Sequence, residues 1–189
     1  VNPFVPIIAS WPYSMSKQVQ HKIHDEIQRI LDLLNTKTGS YNFDIRIDEN
    51  ENVYLIEIAP RNGGDFYPEA IQYATGIDLI EYTIKAALGE QCSDLKMVEP
   101  TGYWATYVLN SEESGVFKGL ELQKDFLENN IVAIELLVKQ NDIISPVLGS
   151  REKIGVLIIK FSSQLEMDEK LLKIGELSKF KMNKPSDYS

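Results

Sequence analysis

Two carboxylates, Asp44 and Glu57, stand thirteen positions apart, and the second is followed closely by Pro60-Arg61-Asn62-Gly63-Gly64. Acidic side chains brought face to face on neighbouring strands repel by roughly a few tenths of a kcal/mol, so a pair held together invites a cation. A hard divalent ion such as Mg²⁺ takes one or two carboxylates, keeps several waters and fills its remaining positions with phosphate oxygens. Arg61 offers a planar fork that matches carboxylate or phosphate. The backbone N–H groups around Gly63 and Gly64 can approach anionic oxygen with no side chain in the way. Residue types and spacing thus outline a metal-assisted phosphate site. They fit a solvated acidic strand face ending in an ordinary turn as well, and spacing alone leaves both open.

For the two carboxylates to meet, the chain must turn back between them. Tyr41, Phe43, Ile45 and Ile47 alternate with Asn42, Asp44, Arg46 and Asp48, which predicts a strand with one core face and one polar face. Val53 to Ala59 is rich in β-branched and aromatic residues, and the polar Asp48-Glu49-Asn50-Glu51-Asn52 between the runs is a natural turn. A turn centred between Asn50 and Glu51 sets Asp44 opposite Glu57 and Asn42 opposite Ala59 in one continuous register.

Asp44, then Glu57-Ile58-Ala59-Pro60-Arg61, then Gly63-Gly64 and Ala74-Thr75-Gly76-Ile77-Asp78-Leu79, resembles the C-terminal half of the ATP-grasp carboxylate-amine ligases. The resemblance implies that Asp44 and Glu57 bind Mg²⁺, with Mn²⁺ able to replace it. ATP would be the phosphoryl donor, and Arg61 and Gly64 would act on the reacting groups, Arg61 also touching the nucleotide phosphates. Ala59 departs from the Asn usual in the family signature, which removes one oxygen from a second metal position; Asn42, opposite, is expected to lend an amide in its place. The implied reaction activates a carboxylate as an acyl phosphate, which an amine then attacks. Two alternatives share these residues: a degenerate module that binds nucleotide or carboxylate without turnover, and an ATP-dependent carboxylase of the purine-biosynthesis type.

The fold implied is α+β: an ATP-grasp C-terminal lobe, an antiparallel sheet with packed helices, over residues 1–90, then a small α+β subdomain over 91–189. The resemblance begins partway through the family pattern, which implies a fragment whose missing N-terminal part carries the glycine-rich loop and the phosphate-binding lysines. The fragment alone is expected to be inactive. A homodimer is expected by the same analogy. Neither a P-loop nor a Gly-x-Gly-x-x-Gly fingerprint occurs.

Composition narrows the classes further. The 189 residues are 43% apolar and 25% charged, an ordinary globular balance, and the net charge of -9 with no basic run argues against a nucleic-acid surface. Cys92 is the lone cysteine, so no intrachain disulfide forms. No apolar run approaches the ~20 residues of a membrane helix. A cytoplasmic protein is expected, with small-molecule partners and neither nucleic acid nor membrane.

The remaining elements must carry the hairpin. Phe4 to Ala9 reads as an edge strand beside Pro3 and Pro6. Ser16 is a good N-cap for an amphipathic helix bearing Val19, Ile23, Ile27, Ile30, Leu31 and Leu34, and its His21 and His24 are given no role. A second helix carries Ala70, Ile71 and Ala74 and ends at Gly76, with Glu69 favourably placed in its first turn. Asp78 caps a third, whose Leu79, Ile80, Ile84, Ala87 and Leu88 are expected to form a buried stripe. Strands are predicted at Tyr103–Leu109, Gly115–Leu122, Ile131–Val138 and Ile154–Phe161, with one final helix over Met167–Leu177 and a frayed polar tail from Lys179. The run Gly149 to Gly155 resembles the post-core subdomain of several ligases, and its Arg151 is assigned no role.

Overall fold

Runs of β-branched residues broken by polar turns build most of this chain, and the computed structural model describes it over residues 5–13, 15–149 and 151–183. In order these form β1 (Ile8–Trp11), α1 (Lys17–Leu33), β2 (Asn42–Ile47), β3 (Val53–Ala59), α2 (Tyr67–Thr75), α3 (Leu79–Ala87), β4 (Tyr103–Leu109), β5 (Gly115–Leu122), α4 (Lys124–Asn129), β6 (Ile131–Leu136), β7 (Ile143–Ile144), β8 (Gly155–Phe161), α5 (Gln164–Leu172), α6 (Ile174–Leu177) and β9 (Ser178–Asn183). They group into two units, one of Tyr13–Glu99 and one of Val1–Pro12 with Pro100–Ser189.

In the first unit, the Ser16 hydroxyl accepts from the Val19 N–H at 3.2 Å and starts α1, which packs on β3. The β2–β3 hairpin is a two-stranded antiparallel sheet. Its turn closes on Asp48, whose N–H donates to the Asn52 carbonyl at 3.1 Å and whose Oδ1 accepts from the N–H groups of Asn50 and Asn52 at 2.9 and 2.8 Å. Gly76 ends α2 at φ 79°, the left-handed conformation that glycine adopts without a Cβ penalty, and its N–H donates to the Gln72 carbonyl at 2.8 Å.

Asp78 caps α3 as expected, its Oδ1 accepting from Ile80 and Glu81 N–H groups at 2.9 Å each. The expected buried stripe is not there. Ile80, Ile84 and Leu88 are 43%, 56% and 69% exposed, and no residue of α3 is fully buried. The less exposed side of the helix carries Leu79, Tyr82, Thr83 and Ala86, which recur at steps of three and four. The polar Thr83 in its middle breaks the apolar pattern by which that face would be recognised.

The second unit holds most of the core. Its four-stranded antiparallel sheet runs β1-β4-β8-β6, and a three-stranded sheet runs β7-β5-β9. β8 is buried at every position but Lys160, and Leu109, Phe126, Ile154, Leu157, Ile159 and Met167 are each at most 1% exposed. Two corrections follow from the pairings. β1 lies on the edge of this sheet, with Ile8 opposite Tyr107 and Trp11 opposite Trp104, so these residues belong with the C-terminal unit and not with the 1–90 lobe. The change of unit falls at Glu99 and Pro100, beyond the expected boundary at 90.

The expected final helix is divided at Lys173, and the expected tail pairs as β9 along β5. In β9, Phe180 and Met182 turn inward while Lys179 and Lys181 face out, an alternation half concealed by charge. Phe4, Ser150 and the tail beyond Asn183 lie outside the described residues. Among the described residues no helix is long and apolar enough to cross a membrane.

Glu166 ties β8 to α5. Its carboxylate accepts from the Ser162 hydroxyl at 2.6 Å, the Asn130 amide at 3.0 Å, Lys170 at 2.9 Å and the Ser162 N–H at 2.7 Å. These donors, the Ser162 hydroxyl foremost, hold its pKa down at about 2. A depressed folded pKa stabilises the fold above the unfolded value near 4.3, and that contribution disappears as pH falls through about 2. We expect Glu166→Gln to cost on the order of 2 kcal/mol at pH 7, allowing for solvent screening. The difference from wild type should shrink towards zero near pH 2, read by urea unfolding across that range.

Candidate functional site

The hairpin carries the two carboxylates to one face by means of a β-bulge. From the turn outward Ile47 pairs with Val53, Arg46 with Tyr54 and Ile45 with Leu55. The register then shifts, and Asp44 pairs with Glu57, Phe43 with Ile58 and Asn42 with Ala59. Ile56 is the extra residue, 63% exposed. Period-two counting from Val53 and Leu55 would put Glu57 on the inward face; one inserted residue turns it over to the exposed face of Asp44. The predicted pairs at the site end therefore hold, whereas the continuous register does not, because the turn closes one residue short and the bulge restores the offset.

Directly opposed side chains of this kind have Cβ atoms roughly 5 Å apart. Asp44 and Glu57 are both exposed. Among the described residues no group of three or more His, Cys, Asp or Glu side chains converges, so two carboxylates are what this face offers. That donor set fits Mg²⁺ completed by water and phosphate oxygens. Asn42 lies opposite Ala59 as expected. His21 and His24 are exposed on α1, away from any third ligand, and Arg151 is exposed in the second unit.

Past β3 the chain tightens. The Arg61 N–H donates to the Ala59 carbonyl at 2.8 Å, and the exposed guanidinium donates to the Asn62 carbonyl at 2.8 Å. The Asn62 amide reaches across to the Thr83 hydroxyl on α3 at 2.9 Å. Asp65 and Phe66 follow with φ of 56° and 58°, a consecutive left-handed pair of non-glycine residues at a cost of about 1 kcal/mol each. This kink delivers the chain into α2, where Glu69 occupies the first turn.

The two adjacent glycines have different reasons to be glycine. A Cβ on Gly63 would sit 2.7 Å from the Tyr67 ring and 3.1 Å from Asn42 Oδ1, so the fold itself requires its absence. A Cβ on Gly64 would meet nothing within 4 Å. Gly64 instead borders an open depression of about 400 Å³, shared with Asn62, Asp65, Phe66, Glu69 and Ile80.

Tyr67 is a neighbour that the sequence did not reveal. Its ring lies against Gly63; burial raises its phenol pKa, and the negative charges of Asp65 and Asp44 raise it further. Nothing in their spacing marks Ser40, Thr83 or Tyr67; the one signal in the sequence is the Gly63-Gly64 pair, whose first member is crowded by the Tyr67 ring. Cys92 is half-buried and lines a separate cavity of about 230 Å³ with Ser40, Tyr41, Asn62, Leu79 and Tyr82.

No family model matches the chain. Over 84 residues it is 34% identical to the uncharacterized protein y4rH of Sinorhizobium fredii, a stretch covering 44% of this chain and 17% of that protein. In structure it is similar to phosphoribosylglycinamide synthetase from Anaerococcus prevotii, with a TM-score of 0.77 and 21% identity over 95% of this chain and 46% of that one. It is similar also to an L-amino acid ligase from Bacillus licheniformis, at 0.81 and 16% identity over 95% and 45%. A third similar structure is the biotin carboxylase domain of 2-oxoglutarate carboxylase from Hydrogenobacter thermophilus, in complex with MgADP, ADP and bicarbonate, at 0.68 and 16% identity over 93% and 39%. The chain has the ATP-grasp fold. It spans less than half of each of these solved chains.

The contrast between the glycines of this ATP-grasp hairpin is measurable. Gly63→Ala should destabilise the protein by about 1–3 kcal/mol, through the clash with the Tyr67 ring. Gly64→Ala should leave stability unchanged or raise it by up to about 1 kcal/mol. Urea denaturation of the two variants distinguishes them.

Proposed function

We propose that this chain is part of an ATP-dependent carboxylate-amine ligase, with Asp44 and Glu57 as its metal ligands and Arg61 and Gly64 at the reacting groups. What carries the reading is the bulge that puts Asp44 opposite Glu57 on an exposed face, beside the Arg61–Gly64 loop, in an ATP-grasp fold. The names of similar proteins support it: an L-amino acid ligase, and a carboxylase domain bound to MgADP.

In this reading Asp44 and Glu57 would hold Mg²⁺, which would supply charge neutralisation to the phosphates of ATP. Phosphoryl transfer needs little covalent help from protein, so positioning and charge carry most of the work. Asp44 and Glu57 would reach the metal from two adjacent strands whose separation the ladder sets. Arg61 holds the transferring phosphoryl group or the acceptor carboxylate with its fork. Gly64 lets a backbone N–H come within hydrogen-bond reach of the developing oxyanion, because nothing of its own stands in the depression. A carboxylate oxygen of the substrate attacks the γ-phosphorus, and ADP departs with the bridging oxygen. The amine then attacks the acyl carbon, loses a proton and expels phosphate.

The partners proposed are a small carboxylic acid, an amine and the remainder of the same polypeptide, which would supply the grip on the nucleotide; this piece alone would not turn over. A cytoplasmic homodimer is part of the same proposal. Ala59, which brings no oxygen to the site, makes binding without turnover the second reading.

Phosphate release from Mg-ATP by the intact gene product, across panels of carboxylates and amines, tests this. Release should need both substrates and fall by about 100-fold or more in Glu57→Gln. Gly64→Ala should lose turnover by about 10-fold while its stability holds. Release driven by bicarbonate without an amine would make the protein a carboxylase. Nucleotide binding with no release under any condition would leave the degenerate module.

A further inference from the structure

We propose that Thr83, on α3 and outside the reacting groups, is the positioning residue that fastens the mouth of the hairpin. Its hydroxyl is fully used. The proton goes to the Leu79 carbonyl at 2.7 Å, the i−4 bond that a mid-helix threonine can make. The oxygen accepts from the Asn62 amide at 2.9 Å and is in short contact with the Ser40 hydroxyl. A hydroxyl has one proton and two lone pairs, so with its proton committed to Leu79, Thr83 must accept from Ser40 as well.

The two residues it holds flank the two strands of the candidate site. Ser40 lies just before β2, which carries Asp44; Asn62 lies just after β3, which carries Glu57. Asn62 is also the residue between Arg61 and Gly63, and its carbonyl accepts from the Arg61 guanidinium. One oxygen atom on α3 thus sets where the Arg61–Gly64 loop stands relative to the carboxylate pair. The pair itself is placed by the β-ladder and the bulge, independently of Thr83. This division predicts different effects on metal and on turnover. It also explains why a half-buried helix face that could have been apolar carries a threonine between Leu79 and Ala86.

The inference rests on the ligase reading for its kinetic part only. Thr83→Val keeps the shape and removes the hydroxyl; Thr83→Ser keeps the hydroxyl. In the intact gene product, Thr83→Val should speed amide exchange at Arg61 and Tyr67, whose N–H groups donate to the Ala59 and Gly64 carbonyls at the two ends of the loop, by about 10-fold, with exchange along the β2–β3 ladder unchanged. Mn²⁺ affinity should stay within about 2-fold, and kcat for phosphate release should fall by about 10-fold or more. Thr83→Ser should restore both exchange and kcat. Uniformly faster exchange across the hairpin, unchanged exchange in the loop, or a serine variant as impaired as the valine one would overturn the proposal. If wild type releases no phosphate, the ligase reading fails, and the exchange pattern still decides whether Thr83 fastens the loop.

Discussion

Two like charges held opposite each other on an exposed strand face constrain the rest of the hairpin unit. Asp44 and Glu57 gain nothing from each other, so the ladder must hold them together, and the ladder is only two strands wide. An isolated hairpin is marginal in water. The inward side chains Phe43, Ile45, Leu55 and Ile58 supply what stability this one has, with α1 packed on β3. The bulge at Ile56 reconciles two demands that a regular strand could not meet: an unbroken apolar face towards α1, and a carboxylate from the same strand on the other face. Its consequence is that Ile56, the inserted residue, is left exposed on the outer face.

Stability and chemistry are unevenly divided between the two units. Nearly all the fully buried large side chains, among them Leu109, Phe126, Leu157, Ile159 and Met167, belong to the second unit. Among the described residues of the unit carrying the hairpin, the buried apolar side chains are few and small: Val19, Pro68, Ala70 and Ala74. A lightly cored unit opens locally at less cost, and loops that must admit and release ligand belong to that class. The price of a thin core is visible in the polar ties, since Ser40, Asn62 and Thr83 hold together what packing alone does not.

What could be read from the sequence was local, and what could not be read depended on distant contacts. The opposition of Asp44 and Glu57 came from a register that fails at the turn end, where a turn one residue shorter and the bulge offset each other, whereas the caps Ser16, Asp78 and Gly76 followed from residue type. The bulge left no mark, because Val53 to Ala59 contains no glycine and reads as an uninterrupted strand. On α3 the regular Ile80, Ile84, Leu88 repeat pointed to the wrong face, since the true inward face is interrupted by Thr83. In β9 two lysines masked a clear alternation, and the pairing partner lies far back in the chain at β5. Tyr67, Thr83 and Ser40 act on the candidate site through space, which no spacing rule encodes.

The contacts among these residues seat the glycine loop against the hairpin. Asn42 pairs with Ala59 across the ladder, and its Oδ1 lies against Gly63; the Tyr67 ring lies against the same glycine and within the field of Asp44. Thr83 holds the residue next to that glycine from the other side. Asn42 and Tyr67 thus seat the glycine that leads into the loop, while the ladder and its bulge place the carboxylate pair. An amide oxygen from Asn42 would therefore come from a side chain already seated against Gly63, on the strand that also carries Asp44.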